Sequence, residues 1–359
     1  MAKVLGTVEI YNETEQLILD NIARALSGGN TGSREWQLEK LNELGALTRR
    51  NAEIIASRAQ MSVKAVLDEI EQAGFNAVAA VEPDYLAAKK AGASLLDALP
   101  ANADPALRAM VSTWQKNAVT QINLTNQTLL AGQSAIYQNT INQTTFQVLS
   151  GVSTPQQALA QTVRTWSKSG IPSIVNSAGN RLSTEAYVNL VMRSNIRAVT
   201  TNMQLERAVS YEVDLQEVSS HIDAREKCEP YQGKIYSMSG THQKYPALDS
   251  TSKGEPDGLF GINCRHNMYP FFEGLSTPRY KGYNKKTVEA SYANSQKQRL
   301  YERSIRQSKR EVSVFENLGD DTAAAQARRT LNDRRAALRS FLKDTGRTRR
   351  SGRELIYNV

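Results

Sequence analysis

All three histidines and both cysteines of this 359-residue chain fall between His221 and His266, a window of 46 residues. Nitrogen and sulfur ligands gathered this tightly constrain the fold, because they point to a small module closed around one local centre. His221 with Cys228 forms one pair of candidate ligands, and Cys264 with His266 forms the other. A tetrahedral zinc ion, the candidate cofactor, could join two such pairs from separate segments where little apolar surface is buried. His242, in a hydrophilic loop, ranks last among the candidate ligands. No Cys-x-x-Cys knuckle is present. The alternative is ordinary hydrogen-bonded packing of the same side chains without metal.

On both sides of the window the periodicity is helical. Asn12 and Glu15 read as an N-cap pair ahead of Leu17, Ile18, Ile22, Ala25 and Leu26. A second helix is expected from about Ser33, carrying Trp36, Leu38, Leu41 and Leu44. A third, capped by Ser62 and stopped by Gly74, carries Val63, Val66, Leu67 and Ile70. Residues 54–70 loosely resemble a helix-turn-helix, but Asp68, Glu69 and Glu71 on its second helix would repel phosphate. From Pro105 to Leu149 a long polar helix is expected, with a thin apolar stripe through Val119, Ile122, Leu129, Ile136, Ile141 and Val148. It reads as a solvated surface helix or as an assembly contact. Thr154, Pro155 and Gln157 form a helix start, and another helix should run from near Ser183 to about Tyr211. Val213, Leu215 and Val218 alternate as a half-buried strand would, within the one region that looks α+β. Beyond Tyr283 the pattern is helical again, with an apolar stripe at Leu331, Leu338, Phe341 and Leu342.

Charge separates these regions. The whole chain carries +8, yet residues 279–359 hold 20 Lys or Arg against 9 Asp or Glu, leaving about −3 upstream. The basic segment is the expected phosphate binder, through Lys285, Lys286, Arg303, Arg306, Arg310, Arg328, Arg335, Arg339, Arg349 and Arg350. Such a helical surface would hold duplex backbone without sequence preference, with a solvated basic face as the bland alternative. Two cysteines exclude a disulfide framework and fit a chain made in a reducing cytosol. No run of eighteen apolar residues and no signal-peptide layout is present, so neither membrane insertion nor export is expected.

A catalytic reading needs Cys228 or Cys264 as nucleophile, a histidine base, and Asp223 or Glu226 as the orienting carboxylate. No hydrolase signature or phosphate loop supports it. The 263–266 stretch evokes a His-Asn-His nuclease, without that layout's spacing. Arg225 and Arg265, near Asp223, Asp249 and Asp257, read first as loop-fixing ion pairs and second as phosphate contacts.

With those residues in place, the chain resembles phage minor capsid proteins of the minor capsid protein 2 family, related to the Mu F-like head-morphogenesis proteins. The resemblance rests on Tyr11-Asn-Glu-Thr-Glu-Gln-Leu-Ile and Trp36-Gln-Leu-Glu-Lys-Leu-Asn-Glu-Leu-Gly45. It continues with Ser219-Ser-His221-Ile-Asp-Ala-Arg225, Gln232-Gly233-Lys234, and Asn263-Cys264-Arg265-His266 followed by Tyr269-Pro-Phe-Phe272. In the tail it rests on Gln298-Arg299, Tyr301-Glu-Arg303-Ser-Ile-Arg306 and Arg347-Thr-Arg-Arg-Ser-Gly-Arg353. It implies a virion structural protein, made in the host cytoplasm and placed in the capsid interior at the portal vertex. Its implied partners are the portal protein and other capsid components; packaged double-stranded DNA is expected as a non-specific partner from the charge of the tail. Related modules end in Asn-Cys-Arg-Cys; here His266 stands at the last position and only Cys228 stands in the first half. That keeps zinc chemistry open and excludes a four-sulfur site. The resemblance supplies no catalytic residue.

The expectation is therefore a mainly α protein: long helices, a small α+β module with the Cys/His cluster, and a basic helical C-terminal tail. Four consecutive regions are expected, at 1–80, 81–212, 213–278 and 279–359. The expected role is non-enzymatic. The competing reading is a metal-dependent hydrolase or toxin-like enzyme using the His/Cys window.

Overall fold

Helix α1 (Thr7–Leu26) starts a turn before the expected cap. Gly6 is its N-cap, and the Glu9 carboxylate accepts the Gly6 N–H at 3.2 Å. Asn12 and Glu15 lie inside the helix and cap nothing, which corrects the sequence reading. The computed structural model describes residues 6–175 and 181–356, so the outermost ends of the first and last expected regions, and 176–180 in the second, lie outside it. Among the described residues there are seven α-helices, a two-stranded hairpin and a three-stranded sheet.

The second and third expected helices are one, α2 (Arg34–Lys90), 57 residues long. Ser62 is therefore no cap: it is buried and donates to the Ala59 carbonyl at 2.8 Å. Gly74 does not stop the helix either. A Cβ there would sit 2.4 Å from Met203 Sδ, so glycine serves a close helix–helix approach. With no turn between residues 54 and 70, a helix-turn-helix is excluded. Helix α3 (Pro105–Leu149) has the expected bounds, and the Asp104 carboxylate accepts the Ala106 N–H at 2.9 Å. Helix α4 (Pro155–Ser169) starts with the expected Thr154–Gln157 capping box. Strands β1 (Pro172–Val175) and β2 (Arg181–Ser183) form a hairpin that the sequence reading did not anticipate. Then come α5 (Thr184–Ser210), strands β3 (Leu215–Val218), β4 (Ile235–Ser237) and β5 (Met268–Pro270), and helices α6 (Lys285–Leu318) and α7 (Asp321–Thr345). Asp320 caps α7 by accepting the Ala323 N–H at 2.9 Å.

These elements form two compact units rather than four consecutive regions. One gathers residues 1–65, 121–189 and 297–359; the other gathers 66–120 and 190–296. The chain passes between them inside α2, α3, α5 and α6, so pattern breaks in the sequence do not mark the boundaries.

In the first unit α1 is buried on nearly every side, although it carries Glu13, Glu15, Gln16, Asp20 and Asn21. Burying so many polar groups requires a partner for each. Glu13 accepts from Arg58 of α2 at 2.8 Å. Asn21 donates to Asn51 of α2, which donates to Gln133 of α3 (3.0 and 2.9 Å). Tyr11 donates to Asn126 of α3 at 2.7 Å. Glu15 accepts from the Ile171 N–H and from Arg310 of α6, both at 2.8 Å. Arg310 also reaches Glu185 of α5 at 2.9 Å, and Arg306 reaches the same carboxylate at 2.5 Å. Burial holds the Glu15 carboxyl above its ordinary pKa, with the Arg310 charge offsetting only part of that rise. Ile305, Leu331, Leu338, Phe341 and Leu342 pack together, so α6 and α7 form a helical hairpin through the expected apolar stripe.

In the second unit, α5 is pinned to the end of α2. The buried Arg207 guanidinium donates to both carboxylate oxygens of Glu82 and to the Leu99 carbonyl, the latter at 2.8 Å. Tyr211 stacks on Tyr85 with ring centroids 4.5 Å apart. In the three-stranded sheet β3 lies between β4 and β5, antiparallel to both. The expected alternation along β3 is absent because all four residues are buried. Its polar Glu217 is satisfied by the Tyr280 N–H at 2.7 Å.

Removing one partner of a buried ion pair leaves an uncompensated charge. Arg310→Ala should therefore cost about 3–5 kcal/mol in urea unfolding, and Glu15→Gln combined with Arg310→Met should recover part of that loss.

A buried cysteine–histidine centre and the basic helices

Two crossings of the chain meet beside the three-stranded sheet. After β3 the ladder continues: the Ser219 N–H donates to the Asn267 carbonyl, and the Asn267 N–H donates to Ser219 Oγ, both at 2.9 Å. That register sets His221 against His266, with ring centroids 5.0 Å apart and planes near perpendicular. The chain then turns through Arg225, where the Cys228 N–H bonds the Arg225 carbonyl at 2.9 Å. It returns to β4 through Gln232 and Gly233. Gly233 has φ +65°, and a Cβ there would lie 2.7 Å from the Gly282 N. Only glycine meets both demands comfortably. On the other crossing Asn263 adopts φ +63°, a conformation asparagine tolerates better than most residues, and it turns Cys264 inward.

The result is a buried centre of Cys228, Cys264 and His266, whose ligand-capable atoms all lie within 4.8 Å of one another. Apolar neighbours Val218, Ala224, Leu248, Leu259, Phe260 and Met268 surround it. Gln232 Oε1 accepts the His221 backbone N–H at 2.8 Å, which fixes which end of the amide is oxygen. The same oxygen lies 3.1 Å from His266 Nε2. An oxygen that only accepts requires the proton on Nε2. In the neutral ring Nδ1 then carries the lone pair, and it faces Cys264 Sγ at 3.3 Å. The hydrogen bond between the two sulfurs, with burial second, pushes the Cys228 thiol up. The same bond draws the Cys264 thiol down; burial opposes this, and His266 reinforces it. One of the two sulfurs thus carries the centre's acidity.

Three of the four expected ligands are together. His221 stands beside the group, its ring stacked edge-on against His266. Its Nε2 faces Ser219 Oγ at 3.3 Å. Burial, then the neighbouring His266, holds its pKa below the usual imidazole value. His242 lies elsewhere, 3.7 Å from Glu273. Of the motif arginines, Arg265 pairs with Asp223 at 3.0 Å, while Arg225 donates to the Gly258 carbonyl at 3.2 Å. Asp257 is held by Lys227 and Asp249 by Lys253.

Two supporting residues escaped the sequence reading. Arg197 of α5 donates to the His266 carbonyl at 2.5 Å and to Asn267 Oδ1 at 3.0 Å. Arg193, one helical turn earlier, donates to Asn263 Oδ1 at 3.0 Å. Their signal was an i, i+4 arginine pair on the helix preceding the module, which is ambiguous without the fold.

The basic residues divide. Arg310 and Arg306 are committed to Glu15 and Glu185, so their reading as phosphate contacts is corrected. Arg310 is 4 % exposed. Arg349 pairs with Glu354 at 2.6 Å, and Arg328 pairs with Glu316 at 2.5 Å while remaining exposed. Lys285, Lys286, Arg303 and Arg339 are exposed; Arg335 and Arg350 are half-buried.

Comparison with known proteins adds a relationship. The family model described as phage minor capsid protein 2 matches residues 3–343. A structural protein of Lactococcus phage LL-H is 28% identical over 323 residues, which is 86% of this chain and 85% of that protein. A structural protein of Lactococcus phage mv4 is 31% identical over 117 residues, 32% of this chain and 95% of that protein. No solved structure matches the chain.

Because Gln232 joins His221 and His266 through one buried oxygen, Gln232→Leu should cost about 1–3 kcal/mol in urea unfolding by stranding buried donors. A cost within experimental error would mean that this oxygen does not organise the centre.

Proposed function

The chain belongs to the phage minor capsid protein 2 family, and on that footing we propose that it docks at the portal vertex inside the head and touches packaged duplex DNA through α7. As a family member it is a structural component of a phage virion. Burial of Cys228, Cys264 and His266 favours a structural centre over the hydrolase reading, because a substrate would have to reach sulfur through the module's core.

The observation that carries the DNA reading is the charge pattern on α7. At about 100° per residue, Arg328, Arg335, Arg339 and Lys343 fall within roughly 80° of one another, while Asp333 and Asp344 project to another side. Arg328, Arg339 and Lys343 are exposed. A stripe of this kind meets phosphates spaced along a duplex and releases condensed counterions, with no requirement for base contacts. It fits a protein facing packaged genome, whatever its sequence. The partner side of the proposal is supported by Phe146, Leu149 and Val152 at the end of α3, which are 71%, 58% and 70% exposed. Apolar side chains left in water this close together along the chain suit a contact with another head component.

Deleting the tail would test nothing cleanly, because residues 297–356 belong to the first unit's core. The variant Arg335→Gln, Arg339→Gln, Lys343→Gln should instead keep its unfolding midpoint. Its duplex-DNA binding should lose up to about three units of slope in log affinity against log salt. An unchanged slope removes α7 from the interface. Likewise Phe146→Asp should leave thermal stability unchanged yet deplete the protein from purified heads, measured by quantitative mass spectrometry. Normal incorporation would place the docking surface elsewhere.

A further inference from the structure

The proposed role leaves the buried centre without a task, since virion assembly and DNA contact are argued from other surfaces. We propose that Cys228, Cys264 and His266, closed by His221 as fourth ligand, bind one zinc ion that ties the two crossings of the module together.

The spacing of the donors is the first support. Sulfur and nitrogen atoms on one tetrahedral zinc lie about 3.5–3.8 Å apart, and the three atoms here lie within 4.8 Å of one another. Two imidazoles on such an ion have ring centres about 5 Å apart, and the His221 and His266 rings are 5.0 Å apart.

The second support is how the rings are held. Metal-bound histidines generally give their other ring N–H to a carbonyl or carboxylate oxygen, which fixes the tautomer. His266 gives Nε2–H to Gln232 and keeps Nδ1 for the ion. The His221 ring lies against His266, and its Nε2 makes only a long 3.3 Å contact with Ser219 that it would exchange for the metal. Arg197 and Arg193 brace the backbone of the 263–267 segment from α5.

Charge is the third. Two cysteines that release their protons to solvent, with two neutral imidazoles, balance a divalent cation, so a buried site carries no net charge. That removes the main cost of placing an ion in an apolar core. The soft sulfur and imidazole set favours zinc over magnesium or calcium. With four protein ligands the ion has no open position, which makes it a structural staple.

The test uses the full chain purified without chelator. Elemental analysis should find one zinc per chain. Phenanthroline should lower the melting temperature, and added zinc should restore it. Cobalt replacement should give tetrahedral visible bands with a sulfur-to-cobalt charge-transfer band, which Cys264→Ser reduces. His221→Ala should weaken affinity by at least the roughly 10–100-fold that losing an outer-shell partner costs, while keeping the sulfur band. Should the variants fail to fold, cobalt titration and chelation of the unmodified chain still decide the matter. Absence of copurified zinc, with no effect of added zinc on melting, would overturn the site. Unchanged affinity in His221→Ala would overturn the fourth ligand.

Discussion

The first unit depends on one buried ion pair, Glu15 with Arg310, whose residues stand 295 positions apart. Neither charge would be tolerated there alone. Together they draw α6 against α1, and Arg310 carries the contact on to Glu185 of α5. The other polar residues of α1 work in the same way: Glu13 and Asn21 select α2, Tyr11 selects α3, and Asp20 accepts from Ser313 of α6. A helix buried on all sides is usually apolar all round. Here several of its polar groups act as addresses, satisfied by residues of other helices. Such contacts need add little net stability to define which helices meet, because any mispairing strands a buried group.

The same logic operates at smaller scale in the second unit. A single amide oxygen on Gln232 receives protons from both histidine segments. It thereby couples the two crossings and fixes which imidazole nitrogen faces the sulfurs. Arg207 does the equivalent for α5 and the end of α2, satisfying Glu82 and a backbone carbonyl at once. In both units long-range order comes from buried polar groups whose partners lie far away in sequence, while apolar stripes supply the less specific attraction.

What the sequence disclosed follows from range. The bounds of α3, the Thr154 cap and the stripe joining α6 to α7 depend on residues a few positions apart, and they were legible. The clustering of Cys228, Cys264 and His266 was legible because so few soft ligands exist to be distributed. Ser62 and Gly74 misled because they have two uses: the one donates to its own helix, and the other admits a neighbouring helix. Glu15 misled as a cap, and Arg310 as a phosphate contact, because each charge's partner lies at the other end of the chain. The interleaving of the two units was hidden because the crossings fall inside helices.

This arrangement changes how the basic C-terminal helices serve a virion protein. From residue 297 onward they are structural members of the first unit, so the stripe on α7 proposed to face phosphate would be held at fixed geometry instead of on a loose arm. Native-state hydrogen exchange of the intact chain tests that claim most directly. The account predicts that amides of α6 around residues 305–315 are protected to the same degree as those of α1 and open with them. Rapid exchange across residues 297–345 while α1 stays protected would contradict it, because the basic helices would then be an appendage and Glu15 would have no partner to keep it buried.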